Sequence, residues 1–217
     1  ADESERPLAG GAISGMKAVF ASRYLLGISA FIALMTFAST VLYFAQSDLV
    51  YEAMTDRGER TAFLAKIDLI VNALTILFQV YLTARLIRWL NVGVALALMP
   101  VAVAVGFVAL GLYPTLATLV VVQVIYRAGR YGITKPAREV LFTVVSREEK
   151  YKSKAFIDAA VYRGGDTASG WAYAGMAAVG LSLGGIALMA APVAAVWAIA
   201  GLRIGARGEV MARKSGV

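Results

Sequence analysis

The chain has 217 residues, of which 59% are hydrophobic and only 16% are charged, with a formal net charge of +7. A soluble domain normally carries about 25% charged residues, so this composition excludes an ordinary soluble protein and favours a membrane protein. The sequence contains no histidine and no cysteine, which excludes disulfides, thiol redox chemistry, histidine proton switches and the usual zinc sites.

The first residues are more polar than the rest of the amino-terminal region. Residues 1–12 combine an acidic start with Pro7 and a pair of glycines, and we predict a flexible linker there. Residues 13–24 mix apolar and polar side chains. This segment predicts either a short helix on the cytoplasmic face of a membrane or simply the first turns of the next span. The chain does not begin with methionine, and we expect it to be a piece of a longer protein.

Six apolar segments come next, each close to the length of about 20 residues that a membrane-spanning helix needs. Two uncharged stretches, Trp89–Tyr126 and Thr167–Leu202, approach two spans each and have turn signals near their middles. Runs of this length without polar alternation exclude strands, because only helices and closed barrels satisfy the backbone in lipid. The predicted spans are residues 24–45, 65–86, 91–111, 114–137, 154–179 and 184–205.

These spans predict an all-α, polytopic membrane domain over residues 24–207 and a cytoplasmic tail over residues 208–217. The longest translocated connection is a predicted loop at residues 46–63. Glycines recur through the last two spans, and we expect them to serve packing, because small residues let helices approach closely in lipid. Six spans with both ends on one side also fit one half of a transporter built from three-plus-three inverted repeats.

The basic residues are distributed as the positive-inside rule requires. Lysines and arginines precede span one, lie between spans two and three and between four and five, and come after span six, whereas the connections three-to-four and five-to-six contain none. This pattern places both termini in the cytoplasm and predicts a multi-pass protein of an inner or plasma membrane. Because topology explains most of the positive charge, we expect no nucleic-acid partner.

Charged residues at membrane depth are the most specific feature of spans four and five. A charge there costs a few kcal/mol unless it is paired or hydrated. Helical spacing places them in two polar stripes: Arg127, Arg130, Tyr131, Thr134 and Arg138 in span four, and Asp158, Tyr162, Asp166 and Tyr173 in span five. Either Arg127 or Arg130 pairs with a carboxylate of the second stripe and locks the spans together, or the stripes line a water-filled path whose arginines attract an anion. One mechanism can combine both if the pairs break during gating.

Span two carries a smaller polar face. Asp68 and Asn72 are one helical turn apart, and Gln79 lies two turns later. Such a face is typical of hydrogen bonding between helices, and lining the same path is the alternative.

The segment RYGITKPARE, residues 130–139, is followed by a charged loop and by the run KSKAFID, which ends at Asp158. This arrangement resembles the ATP/ADP antiporter family of plastids and intracellular bacteria, whose members have a similar K-Y-x-x-x-x-P-x-K-E motif before K-x-K-x-x-I-D. Ser22-Arg23-Tyr24 and the hydrophobic layout also agree. The resemblance therefore spans most of the chain and the carboxyl-terminal six of the family's usual twelve spans.

The resemblance implies an MFS-like fold and exchange of nucleotides across a membrane without hydrolysis. It places the family's functional lysine at Arg138, next to Glu139, and it places Tyr43 where the family commonly has a glutamate. A nucleotide suits these residues, because its phosphates match convergent arginines and lysines and its base matches tyrosine faces.

The sequence thus predicts half of a secondary transporter that translocates an organic anion, with a nucleotide as the leading candidate, by alternating access. The predicted substrate-binding residues are Arg127, Arg130, Lys135 and Arg138, and the predicted gating or charge-pair residues are Glu139, Asp158, Arg163 and Asp166. The expected partners are the anion, the lipid bilayer, and a second six-helix half or a second copy in a homodimer. The alternative prediction is a non-transporting membrane anchor or sensor. No metal site, cofactor or enzymatic activity is predicted.

Overall fold

The computed structural model of the chain describes residues 12–82, 85 and 91–215, and over these residues every regular element is helical, which confirms the all-α class. The predicted linker lies outside the described residues except for residue 12. The α-helices are α1 (Ala12–Ala21), α2 (Arg23–Ala53), α3 (Arg57–Leu77), α4 (Val92–Leu112), α5 (Leu116–Gly129), α6 (Lys135–Leu141), α7 (Arg147–Phe156), α8 (Tyr162–Ala178) and α9 (Leu183–Ser215). Three π-helical turns, π1 (Phe78–Leu82), π2 (Arg130–Thr134) and π3 (Ile157–Val161), extend α3, join α5 to α6 and join α7 to α8.

Four helices are long and apolar enough to cross a membrane: Arg23–Ala53, Arg57–Tyr81, Val92–Leu112 and Leu183–Lys214. They coincide with predicted spans one, two, three and six, and they support a membrane protein. The segments of predicted spans four and five are continuous helices from Leu116 to Leu141 and from Arg147 to Ala178. They are less apolar than the other four helices because they carry the deep charges. The six-span arrangement therefore belongs to the proposal made below.

The helix ends are set by capping residues more than by hydropathy. The hydroxyl of Ser22 accepts a hydrogen bond from the backbone N–H of Leu25, and the carboxylate of Asp56 accepts one from the N–H of Glu59. The predicted loop at residues 46–63 is wrong. Helix α2 continues to Ala53 and α3 begins at Arg57, with Asp56 as its N-cap, so only residues 54–56 lie between the two helices. Polar residues outside lipid do not end a helix unless a cap or a breaker does so.

The segment before the first span forms a helix of its own. Ser22 adopts an extended backbone conformation and separates α1 from α2. Helix α1 packs against α7, where a Cβ on Gly15 would collide with the carbonyl oxygen of Lys152. Glycine at this position therefore lets the two backbones touch.

Helix α9 makes its most extensive contacts with α4. Glycines of both helices face each other: a Cβ on Gly205 would collide with the backbone of Gly93, and a Cβ on Gly184 would lie 2.9 Å from the carbonyl oxygen of Gly111. Gly184 and Gly205 of the last span thus serve close packing, as expected, whereas a Cβ on Gly185 would make only ordinary contacts. This backbone-to-backbone contact fixes α4 and α9 as one unit.

Helix α2 lies against both α8 and α9. Its Phe31 packs on the fully buried indole of Trp197 in α9, with ring centroids 5.5 Å apart. Toward α8, a Cβ on Gly165 would collide with the hydroxyl of Thr36. Gly164 and Gly175, in contrast, have no described atom within 4 Å of an added Cβ, so the packing expectation does not extend to every glycine of α8.

Candidate functional site

Both π turns in the second half of the chain lie at one polar cavity of about 350 Å³, here called the inner cavity. Its lining comes from α2 (Met35), π2 (Arg130, Tyr131 and Thr134), α6 (Lys135 and Arg138), π3 (Asp158) and the start of α8 (Tyr162). It therefore brings together three of the four predicted substrate-binding residues and one predicted gating residue.

The π2 turn has a local cause in the sequence. Pro136 is the second residue after it. Proline lacks a backbone N–H, and in a regular α-helix its ring clashes with the carbonyl four residues earlier. In π2 the N–H of Lys135 instead donates to the carbonyl of Arg130, five residues back. The turn is thereby widened at the cavity, and such turns are frequent at functional sites.

Arg138 is the most enclosed charge in the inner cavity, with only 7% of its surface exposed. Its Nη1 donates a hydrogen bond to the Tyr162 hydroxyl at 2.7 Å and lies 3.7 Å from a carboxylate oxygen of Asp158. Its Nη2 lies 3.5 Å from a carboxylate oxygen of Glu139. These contacts fix the guanidinium at the wall of the cavity.

Two buried polar atoms of the cavity lining have no hydrogen-bond partner among the described residues, Nε of Arg138 and Oγ1 of Thr134. Thr134 is 2% exposed. Leaving a buried donor or acceptor unpaired costs about 1–3 kcal/mol, and native structures satisfy most such groups. Both atoms are shielded from solvent, so a water molecule or ligand oxygen would reach them only if the surrounding helices moved.

Arg130 and Lys135 are the other two cations of the cavity lining. The Nη1 of Arg130 donates to the hydroxyl of Ser39 at 3.3 Å, and its guanidinium carbon lies 5.8 Å from the ring centroid of Tyr131. Neither Arg130 nor Lys135 forms an ion pair within the part of the chain that the structure describes. With Arg138, the lining has three positive charges against the one carboxylate of Asp158.

Glu139 lies at the edge of this site and links α6 to α7. The ammonium of Lys154 donates to its carboxylate at 2.7 Å. Burial by itself raises the pKa of Glu139, but the hydrogen bond from Lys154 and the charges of Lys154 and Arg138 outweigh it and lower the pKa below its ordinary value. The carboxylate is therefore held ionised between two cations.

Arg127 does not line the inner cavity. It forms an ion pair with Asp68 of α3, with Nη1 and Oδ1 2.6 Å apart. The predicted pairing of Arg127 or Arg130 with a carboxylate of span five is not what the structure has, since the ion-pair partner of Asp158 is Arg138. The reason is helix order: α5 packs against α3, whereas α8 packs against α2.

The remaining predicted gating residues, Arg163 and Asp166, are exposed on α8, outside the lining of the inner cavity. Of the polar face on span two, Gln79 donates from its side-chain amide to the backbone carbonyl of Tyr131 at 3.3 Å, which is the hydrogen bonding between helices that such a face predicts. Met35 is a cavity residue that sequence reasoning missed, because an apolar residue in an apolar span carries no signal of its own.

Comparisons with known proteins return no match: no family model, no curated protein and no solved structure is similar to this chain. The family resemblance thus stands on the motif residues alone.

Proposed function

We propose that the chain is one half of a secondary transporter with six membrane spans and an MFS-like fold, and that it translocates an organic anion by alternating access. The leading substrate is a nucleotide, exchanged without hydrolysis. The observation that carries this proposal is the inner cavity, with three cations, one carboxylate and two unpaired buried polar atoms. A charge at membrane depth costs free energy unless it lines a hydrated path or is paired with another group.

The chemistry of the inner cavity suits a phosphate with an attached ring. A guanidinium offers a planar fork of donors that matches phosphate oxygens, and the lining contains two of them, Arg130 and Arg138. The rings of Tyr131 and Tyr162 lie in the same lining and offer faces for a base. A volume of about 350 Å³ is near the lower end for ligand pockets, and a second half facing it would complete the enclosure.

The ion pair between Arg138 and Asp158 suggests how the substrate would be released. Asp158 lies 3.7 Å from Arg138 and competes for the same donor that a phosphate would take. Binding of an anion would replace this contact, and departure of the anion would restore it. In this proposal, α6 and π3 approach when the site is empty and separate when it is filled.

Binding of radiolabelled ADP to the purified full chain in lipid nanodiscs tests the proposal. We expect saturable binding that inorganic pyrophosphate competes for and that Arg138→Gln removes. Arg147→Gln is the matched control, because Arg147 is exposed, lies beside a tyrosine ring at 5.9 Å and is not part of the inner cavity. Absence of binding by a folded wild-type chain, or equal loss in both variants, would contradict the proposal.

The second candidate is a non-transporting membrane anchor or sensor. The pairs Arg127–Asp68 and Lys154–Glu139 favour it, because they satisfy charges within the chain and need no ligand. Exchange of nucleotide by proteoliposomes that contain the full-length parent protein separates the two. Binding without exchange would favour the sensor.

A further inference from the structure

A second polar cavity, of about 540 Å³, lies between the carboxyl-terminal end of α2 and the amino-terminal end of α3. We call it the outer cavity, because the proposed topology puts these helix ends on the translocated side. Its lining consists of Tyr43, Gln46, Ser47, Val50 and Tyr51 from α2, and Arg57, Arg60, Thr61 and Leu64 from α3. It contains two arginines and two tyrosines but no carboxylate.

The outer cavity contains two arginines, Arg57 and Arg60. Neither Arg57 nor Arg60 forms an ion pair with any residue that the structure describes. The four acids at these helix ends lie outside the lining: Asp56 accepts the N–H that caps α3, Asp48 accepts a hydrogen bond from the Tyr173 hydroxyl at 2.7 Å, and Glu52 and Glu59 are exposed. The positive charge is thus available to a ligand.

An aromatic surface accompanies this charge. The guanidinium carbon of Arg60 lies 4.2 Å from the ring centroid of Tyr51, a distance at which cation and ring attract each other. Tyr43 and Tyr51 are 64% and 65% exposed, so both rings remain accessible, although Arg60 covers part of Tyr51. Two free guanidinium groups next to accessible rings match an anion that carries both phosphate and a planar ring.

The outer and inner cavities share one face of α2. Met35, Ser39, Tyr43 and Ser47 occur at intervals of four residues, which places them on one side of a helix. Met35 lines the inner cavity, Ser39 accepts a hydrogen bond from Arg130, and Tyr43 lines the outer cavity. At a rise of 1.5 Å per residue, Met35 and Tyr43 are about 12 Å apart along the axis.

We propose that the outer cavity is a second binding site for a phosphate compound with a planar ring, and that a ligand docks there, against Arg57, Arg60 and Tyr51, before it moves along α2 to the inner cavity. This inference rests on the proposed function and adds the site at which the ligand is taken up or released on the translocated side. The phosphate chemistry would also suit a lipid headgroup, which the experiment must distinguish.

Photolabelling separates the two cavities. The full chain in nanodiscs of phosphatidylcholine is irradiated with 8-azido-ATP, and the labelled peptides are identified by mass spectrometry. We expect label near Tyr43 and Tyr51 as well as near Tyr162. The double variant R57Q/R60Q should lower the outer label about tenfold or more and leave the inner label in place, R138Q should do the reverse, and R147Q should change neither. Thermal melts establish that all variants are folded.

The outcomes distinguish this inference from the proposed function. Label confined to the inner cavity would overturn the outer site and leave the proposed function intact, whereas no label at either place would overturn both. Outer label unaffected by R57Q/R60Q would also overturn the inference. In nanodiscs with added phosphatidylglycerol, lipid retained through these arginines in native mass spectra, without outer label, would assign the outer cavity to a headgroup and refute a soluble ligand.

Discussion

Replacement of Arg138 gives the sharpest test of the inner cavity. Arg138→Lys keeps the charge but loses the planar fork that reaches Tyr162 at 2.7 Å. One charge-assisted hydrogen bond contributes about 1.5–3 kcal/mol, which corresponds to about 10- to 150-fold in affinity. We therefore expect Arg138→Lys to weaken ADP binding within this range, and Arg138→Gln, which also removes the charge, to weaken it by at least about a hundredfold.

Arg138→Gln should cost a moderate amount of stability. The side chains of Asp158 and Glu139 are 46% and 40% exposed, so water solvates them when Arg138 is gone, but the hydrogen bond of the buried guanidinium to Tyr162 is lost, at about 1.5–3 kcal/mol. For a chain of this size that is a shift of about 3–12 °C in melting temperature. Isothermal titration with ADP and thermal melts in the same nanodiscs measure both quantities. Wild-type affinity in Arg138→Lys would refute the claim that the planar guanidinium binds the phosphate. Unfolding of Arg138→Gln would show that the arginine is needed for the fold.

The packing and the charges support three further predictions. Arg127→Gln should leave ADP affinity unchanged and lower the melting temperature by a few degrees at most, because its ion pair is partly exposed; a loss of binding would return this residue to the site. Gly205→Ala should destabilise by about 1–3 kcal/mol, since its Cβ meets backbone, whereas Gly164→Ala, with open space around it, should not. Because the pKa of Glu139 is lowered from 4.5, its contribution to stability is complete above that value and is lost as the pH falls below it. Melts of Glu139→Gln should lack this acid-dependent part, and identical pH profiles would contradict the assignment.

The helical framework could be predicted from the sequence because the apolar segments are long enough to be recognised as membrane-spanning helices. Four of the six predicted spans correspond to helices that can cross a membrane. The connections could not be predicted in the same way, since hydropathy marks where lipid ends and not where a helix ends. Thus α2 continues through polar residues to Ala53, because no cap or helix breaker ends it before that residue.

The candidate site was predictable as a set of charges but not as a set of partners. In an unbroken α-helix, Arg127 and Arg138 are eleven residues apart and share a face. The π2 turn between them adds one residue, which rotates α6 relative to α5 by about 100°. Arg127 therefore faces α3 and Asp68, while Arg138 faces the inner cavity. A sequence pattern gives the face of a helix, whereas the neighbour of that face depends on how the helices are assembled.

The glycine contact between α4 and α9 decides which part of the molecule can move. Where Gly93 meets Gly205, backbone touches backbone, and neither helix can slide or roll without a collision that no side-chain rotamer relieves. This contact therefore keeps α4 and α9 in a fixed position relative to each other. In the proposed transport cycle, the helices that contain π turns would move against this unit.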